Sequence, residues 1–99
     1  MARDALAREV IECFLEDIPR QFATLKDYLE AGNATGCERQ AHTIKGASSN
    51  VGGEALRAAA FGMEQAAKAG DLSAVTARMP ELESQFERFR EAMRAELMR

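Results

Sequence analysis

The stretch ATGCERQAHTIKGASSNV, residues 34–51, shows most clearly how the chain folds. Its apolar and small residues recur at alternating intervals of three and four positions, which places their side chains on one face of an α-helix. These positions are Ala34, Cys37, Ala41, Ile44, Ser48 and Val51. The pattern therefore predicts a helix with one narrow buried face.

Three further segments of the chain have the same helical spacing. They span residues 6–29, 56–67 and 72–97. The motifs AGN at 31–33 and AGD at 69–71 separate the segments, and in each a glycine ends one helix while Asn33 or Asp71 caps the next. SNVGG at 49–53 ends the second helix in a similar way. No segment shows strand alternation, so the sequence predicts helices and no sheet.

Two prolines interrupt the helical pattern. Because Pro19 lies within the first segment, we expect either a helix that ends near Glu16 followed by one that begins near Ile18, or one kinked rod. Pro80 lies within the last segment and predicts a kink, or a short turn with a new helix from that residue.

The fold that these segments predict is all-α. Four amphipathic segments with short connections favour an antiparallel up-down-up-down four-helix bundle with an extra N-terminal helix or a kinked first helix. The 99 residues suit one domain, 1–99, and a composition of 46% hydrophobic and 29% charged residues is typical of a globular chain.

Charge and hydropathy argue against several classes of partner. The formal net charge is -3 and the basic residues are dispersed, so we expect no binding to nucleic acid. No apolar run is long enough to span a membrane, and MARDALAREV at 1–10 lacks the apolar core of a signal peptide, so we expect a cytoplasmic chain without membrane contact. Cys13 and Cys37 lack metal-ligand spacing and are interpreted as small core residues.

His42 is the only histidine in the chain. On a helix it lies about 130° from the centre of the buried face, so we expect it to face outward with Glu38, Lys45, Gly46 and Ser49. A neutral imidazole nitrogen is a nucleophile, and Lys45 would set a cation near a phosphoryl group on it. Gly46, which weakens the helix, would let another protein approach the ring.

Each of these features also has a structural interpretation. An exposed histidine is usually only a solvated residue, and Gly46 could pack against a loop. Phe61 lies about 160° from Met63 around the third helix, so it is either covered by another segment or part of a surface for a partner. Spacing alone leaves these alternatives open.

The motif around His42 resembles the signature of histidine-containing phosphotransfer domains. AHTIKGASSNVGGEAL at 41–56 is similar to the family's pattern of His-Thr-hydrophobic-Lys-Gly followed by small residues. LEDIPRQFATLKDYLEAGN at 15–33 resembles the helix that precedes this motif in the family, and MEQAAKAGDL at 63–72 resembles the end of the third helix. The resemblance covers most of the chain.

The resemblance implies a four-helix bundle with a phosphorylatable histidine midway along the second helix. It makes His42 the phosphoacceptor, Lys45 the charge partner of the phosphoryl group and Gly46 the steric gap. In such domains a polar residue of the third helix commonly hydrogen-bonds the other imidazole nitrogen. Glu64 matches that position best, with Gln65 as the second choice, although Glu64 could also be a solvated helix charge.

The implied function is that of a phosphorelay carrier. His42 would accept a phosphoryl group from the aspartyl phosphate of a response-regulator receiver domain and pass it to the aspartate of another receiver. The chain shows no phosphate loop and no acidic metal cluster, so we expect a monomeric carrier that is not an enzyme, has no cofactor of its own and uses Mg²⁺ from the receiver. The alternatives are the phosphoacceptor domain of a chemotaxis-type kinase, served by a histidine kinase core, a helical interaction module that is not phosphorylated, and an enzyme with a histidine nucleophile.

Overall fold

The chain forms four α-helices in a computed structural model that describes residues 2–99, with side chains from residue 5 onward. The helices are α1, Ala2–Glu30; α2, Ala34–Asn50; α3, Glu54–Lys68; and α4, Leu72–Leu97. Short connections at 31–33, 51–53 and 69–71 make consecutive helices antiparallel. The all-α bundle predicted from the sequence is confirmed, with no strand among the described residues, and the predicted domain start at residue 1 lies outside them.

Both prolines lie inside continuous helices. α1 runs through Pro19 and α4 runs through Pro80, so of the predicted alternatives the structure has one first helix and one last helix, without a separate helix ending near Glu16 and without a short turn at Pro80. Each proline removes one helical hydrogen bond, but each is exposed and is preceded by a buried residue, Ile18 or Met79. Packing of those neighbours in the core keeps the two helices unbroken.

One apolar core joins the four helices. The face of α2 predicted from its spacing is buried at Cys37, Ala41, Ile44 and Ser48, and the Ser48 hydroxyl donates to the Ile44 carbonyl at 2.7 Å. The remaining core residues are Phe14, Ile18, Phe22 and Leu25 of α1, Leu56, Ala60, Met63 and Ala67 of α3, and Val75, Met79, Leu82 and Phe86 of α4.

In the described part of the chain, no helix has a stretch long and apolar enough to cross a membrane.

The turn chemistry predicted from AGN and AGD is confirmed. The side chains of Asn33 and Asp71 accept the backbone N–H three residues later, at 2.9 Å and 3.0 Å, and so cap α2 and α4. Gly32 and Gly70 precede these caps with φ of 69° and 73°, the left-handed conformation in which a glycine ends a helix. These turns set where α2 begins and where α3 ends.

The first turns of α1 extend beyond the shorter helix α2. α1 has 29 residues and α2 has 17, so Leu6 and Val10 on the predicted apolar face remain 63% and 48% exposed. The guanidinium of Arg8 donates to the Leu97 carbonyl at 2.8 Å and ties this part of α1 to the end of α4. Cys13 is also exposed, so its interpretation as a core residue is wrong.

Candidate functional site

The site is centred on His42, in the middle of α2. The buried neighbours Ala41 and Ile44 anchor the helix in the core, and the imidazole points away from them with 66% of its side chain exposed. The outward orientation predicted from helical geometry is therefore confirmed. Among the described residues, the ring's one hydrogen-bond partner is found at Nδ1, and Nε2 has none.

That partner is Glu64 of α3, whose Oε2 lies 2.8 Å from Nδ1. Glu64 follows the buried Met63, so α3 sets the carboxylate at the edge of the interface with α2, where only 13% of the side chain is exposed. Glu64 is therefore not a solvated helix charge. Gln65, the second choice, is exposed, and the contact with the imidazole is made by Glu64.

The hydrogen bond determines which nitrogen carries the proton. An ionised carboxylate has no proton to donate, so a neutral His42 donates its Nδ1–H to Glu64 and keeps the lone pair on Nε2. The same carboxylate stabilises positive charge on the ring. The arrangement therefore orients a nucleophilic nitrogen on the surface of the bundle.

Lys45 does not stand free beside His42. Its ammonium lies 2.7 Å from Oε1 of Glu64 and 5.3 Å from the centre of the Phe61 ring, and 24% of its side chain is exposed. Lys45 therefore pairs with the carboxylate that contacts His42, and its role as the charge partner of a phosphoryl group stays a prediction. Phe61 itself stays 46% exposed, outside the core.

The charges around Glu64 hold it in its ionised form. The ammonium of Lys45 is the largest cause that lowers the pKa of the Glu64 carboxyl below its usual value, and the hydrogen bond from His42 adds to this lowering. Partial burial opposes both effects. Because the pKa is lowered, the carboxylate is available to accept the Nδ1–H throughout the neutral range.

Gly46 lies one turn after His42 on the same exposed face. A Cβ built at this position meets no heavy atom within 4 Å, so packing against a loop of this chain does not explain the glycine. Gly36 differs, because a Cβ there would clash with the ring of Tyr28. Nothing among the described residues requires a glycine at position 46, and the space beside the imidazole is open.

A shallow depression surrounds the imidazole, and it contains a cation that sequence analysis missed. Arg39 precedes His42 by three residues on α2, a spacing that places two side chains on one helix face and could have identified it. No group of three or more His, Cys, Asp or Glu side chains in the described part of the chain converges as metal ligands would. The depression is lined by Thr35, Glu38, Arg39, His42, Thr43 and Glu64.

Comparison with protein families decides the assignment of the chain. The model of the Hpt domain family matches residues 9–92, which include His42 and Glu64. The chain belongs to the Hpt domain family. Hpt domains have a histidine phosphotransfer role in two-component signalling and interact with response-regulator receiver domains. Comparisons with curated proteins and with solved structures gave no match.

In this Hpt domain two helices assemble the site. α2 supplies His42 and Lys45, and α3 supplies Glu64, which contacts both of them. Gly46 has no side chain and leaves open space on the face of α2 that carries the imidazole. Gln65 takes no part in these contacts. Helical spacing predicted the exposed histidine and the family resemblance implied its carboxylate partner, but neither predicted that the lysine and the histidine share that carboxylate.

Proposed function

We propose that the chain is a phosphorelay carrier. Nε2 of His42 accepts a phosphoryl group from the aspartyl phosphate of one receiver domain and passes it to the aspartate of another. The observation that supports this most strongly is the 2.8 Å contact between Nδ1 and Glu64, combined with 66% exposure of the imidazole side chain. A ring held in this tautomer presents its nucleophilic nitrogen to a docked partner.

The chemistry of the transfer needs no proton movement at the reacting nitrogen. The Nε2 lone pair forms a bond to phosphorus while the bond between phosphorus and the receiver's aspartyl oxygen breaks, and the aspartate leaves as a carboxylate. The ring becomes cationic with its proton still on Nδ1, where the Glu64 carboxylate stabilises the new charge. In the second step, the aspartate of the next receiver attacks phosphorus and the P–Nε2 bond breaks.

The neighbouring side chains have distinct proposed roles. Lys45 is three residues from His42 on the same face of α2, so a phosphoryl group with two negative charges would compete with Glu64 for its ammonium. Arg39 is a second cation on the other side of the imidazole. Gly46 is the gap through which the receiver's aspartate arrives, and the receiver supplies the Mg²⁺ that stabilises the transferring group.

The proposal is tested by labelling the purified chain in parallel reactions. One reaction contains a phosphorylated receiver with Mg²⁺, and another contains a histidine kinase core with ATP. We expect the receiver to label the chain with a phosphoryl group that is acid-labile and base-stable. The substitution His42→Gln should abolish this label, whereas the control Gln65→Ala on α3 should retain it.

Each of three other outcomes would overturn the relay through His42. Labelling by the kinase core alone would make the chain a phosphoacceptor domain of the chemotaxis type and would overturn the relay. If neither reaction labels the chain, the alternative supported is a helical interaction module that is not phosphorylated. Labelling that survives in His42→Gln would place the acceptor on another residue.

A further inference from the structure

Phe61 is an exposed aromatic residue that the core does not explain. It lies on α3 outside the buried face, and 46% of it is exposed to solvent. Its ring centre is 5.3 Å from the ammonium of Lys45, within the distance of about 6 Å at which a cation is attracted to an aromatic face. The contact connects Phe61 to the site around His42.

The geometry of the two helices makes this contact part of one cluster. Phe61 and Glu64 are three residues apart on α3, and His42 and Lys45 are three residues apart on α2, so each pair occupies one helix face. The Lys45 ammonium reaches across to both residues of α3, with Oε1 of Glu64 at 2.7 Å and the aromatic ring at 5.3 Å. The other carboxylate oxygen of Glu64 then contacts His42.

We propose that Phe61 is a positioning residue for phosphotransfer: its ring holds the Lys45 ammonium against Oε1 of Glu64, which keeps Oε2 directed at Nδ1 of His42. The proposal rests on the proposed function of His42 as phosphoacceptor. Phe61 acts through Lys45 and Glu64 and has no contact with the reacting nitrogen in this account.

The physical reason is that the ion pair alone leaves the Lys45 ammonium several positions to choose from. A lysine side chain has several rotatable bonds, and an ion pair in contact with water is weakened by solvent screening. The ring limits where the ammonium can lie and keeps water from one side of the pair, which strengthens the attraction between Lys45 and Glu64. Both oxygens of the carboxylate are then engaged, so rotation of the carboxylate away from the imidazole is disfavoured.

The substitutions Phe61→Leu and Phe61→Tyr separate this role from simple packing. Leucine supplies apolar cover without an aromatic face, whereas tyrosine retains the face. Because Phe61 is nearly half exposed and lies outside the core, both variants are expected to fold. Leu6→Ala provides a control, since Leu6 is an exposed apolar residue on the protruding turns of α1.

The first readout does not depend on phosphotransfer. His42 is the only histidine, so ¹⁵N NMR of the unphosphorylated chain reports the ratio of its Nδ1–H and Nε2–H tautomers without overlap. We expect Phe61→Leu to lower this ratio roughly two- to fivefold, as the loss of one cation–π contact predicts. Phe61→Tyr and Leu6→Ala should leave the ratio unchanged, and an unchanged ratio in Phe61→Leu would overturn the proposal.

A second comparison tests whether the effect passes through the ammonium. In a chain that carries Lys45→Met, the additional substitution Phe61→Leu should have no further effect on the ratio. A further decrease there would contradict the proposal, because it would show that the ring acts without the cation.

The rate of transfer from a phosphorylated receiver distinguishes this inference from the proposed function. Phe61→Leu should slow transfer by a factor similar to the change in tautomer ratio, and Phe61→Tyr should restore it. If the ratio changes but no variant is phosphorylated, the positioning of Glu64 is supported and the relay is wrong. If all variants are phosphorylated at equal rates, the role of Phe61 is wrong and the relay stands.

Discussion

Oε2 of Glu64 on α3 lies 2.8 Å from Nδ1 of His42 on α2. The register in which α2 and α3 pack brings the two atoms together, and the contact determines which imidazole nitrogen carries the proton. Oε1 of the same carboxylate is 2.7 Å from the Lys45 ammonium. The site is thus a nucleophile and a cation arranged around one shared anion.

The substitution Glu64→Gln tests the charge of that anion. Glutamine can still accept from Nδ1, but it does not stabilise a cationic ring or pair with Lys45. A hydrogen bond to a charged group contributes about 1–1.5 kcal/mol more than a neutral one, so we expect transfer from a phosphorylated receiver to slow roughly five- to tenfold, as measured by single-turnover kinetics. Glu83→Gln is the matched control, since Glu83 forms an exposed interhelical ion pair with Lys26 at 3.1 Å. An equal rate in Glu64→Gln and the wild type would contradict the role of the carboxylate.

Gly46 should be dispensable for folding and important for docking. Because a Cβ there meets nothing within 4 Å, Gly46→Ala should raise the free energy of unfolding by roughly 0.5–1 kcal/mol, the usual gain for a helix interior. Transfer from the receiver should fall in Gly46→Ala and fall further in Gly46→Leu. Urea denaturation and transfer kinetics measure the two effects, with Ser49→Ala on the same face as a control. Undiminished transfer in Gly46→Leu would show that the gap has no role.

Acid should destabilise the fold through Glu64. Its pKa is lowered in the folded state, chiefly by Lys45, from an ordinary value of 4.5. The stabilisation from the ionised carboxylate is therefore complete above that value and is lost as the pH falls through the lowered folded pKa. Between pH 6 and pH 3, the free energy of unfolding should decrease more in the wild type than in Glu64→Gln. Glu54→Gln, at a side chain that is 76% exposed, should behave as the wild type does, and equal acid sensitivity of all three chains would refute the prediction.

The two cysteines should differ in reactivity. Cys37 is fully buried and its burial raises the pKa of the thiol, whereas Cys13 is exposed on α1. A thiol reagent should therefore modify one site rapidly in the folded chain and both sites in denaturant, because the thiolate is the reactive form. Mass spectrometry of Cys13→Ser and Cys37→Ser would assign the sites. Rapid modification of Cys37 under native conditions would show that the core opens more readily than its packing implies.

Local patterns were sufficient to predict the helices and the direction of His42. The spacing in residues 34–51 predicts the buried face of α2, and a residue about 130° from the centre of that face points away from the core. Asn33 and Asp71 cap helices through their own side chains, so these starts are also local features. The choice of Glu64 over Gln65 came from a family resemblance and agrees with the contact in the structure.

The features that the sequence did not predict depend on packing between elements. Whether a helix continues through Pro19 or Pro80 depends on how the flanking residues pack against other helices, and Ile18 and Met79 are both buried. The exposure of Leu6 follows from the unequal lengths of α1 and α2, which periodicity within α1 does not report. The pairing of Lys45 with Glu64 requires the register between α2 and α3, so no spacing within α2 could have predicted it.

In the proposed mechanism, Nε2 of His42 carries the phosphoryl group while Nδ1 stays bound to Glu64. The most direct measurement is a ³¹P–¹⁵N correlation spectrum of the ¹⁵N-labelled chain after phosphorylation by a receiver, in which the single histidine makes the assignment unambiguous. We expect phosphorus to couple to Nε2 and Nδ1 to remain protonated. Coupling of phosphorus to Nδ1, or a phosphorylated chain without a phosphorus–nitrogen bond, would contradict it.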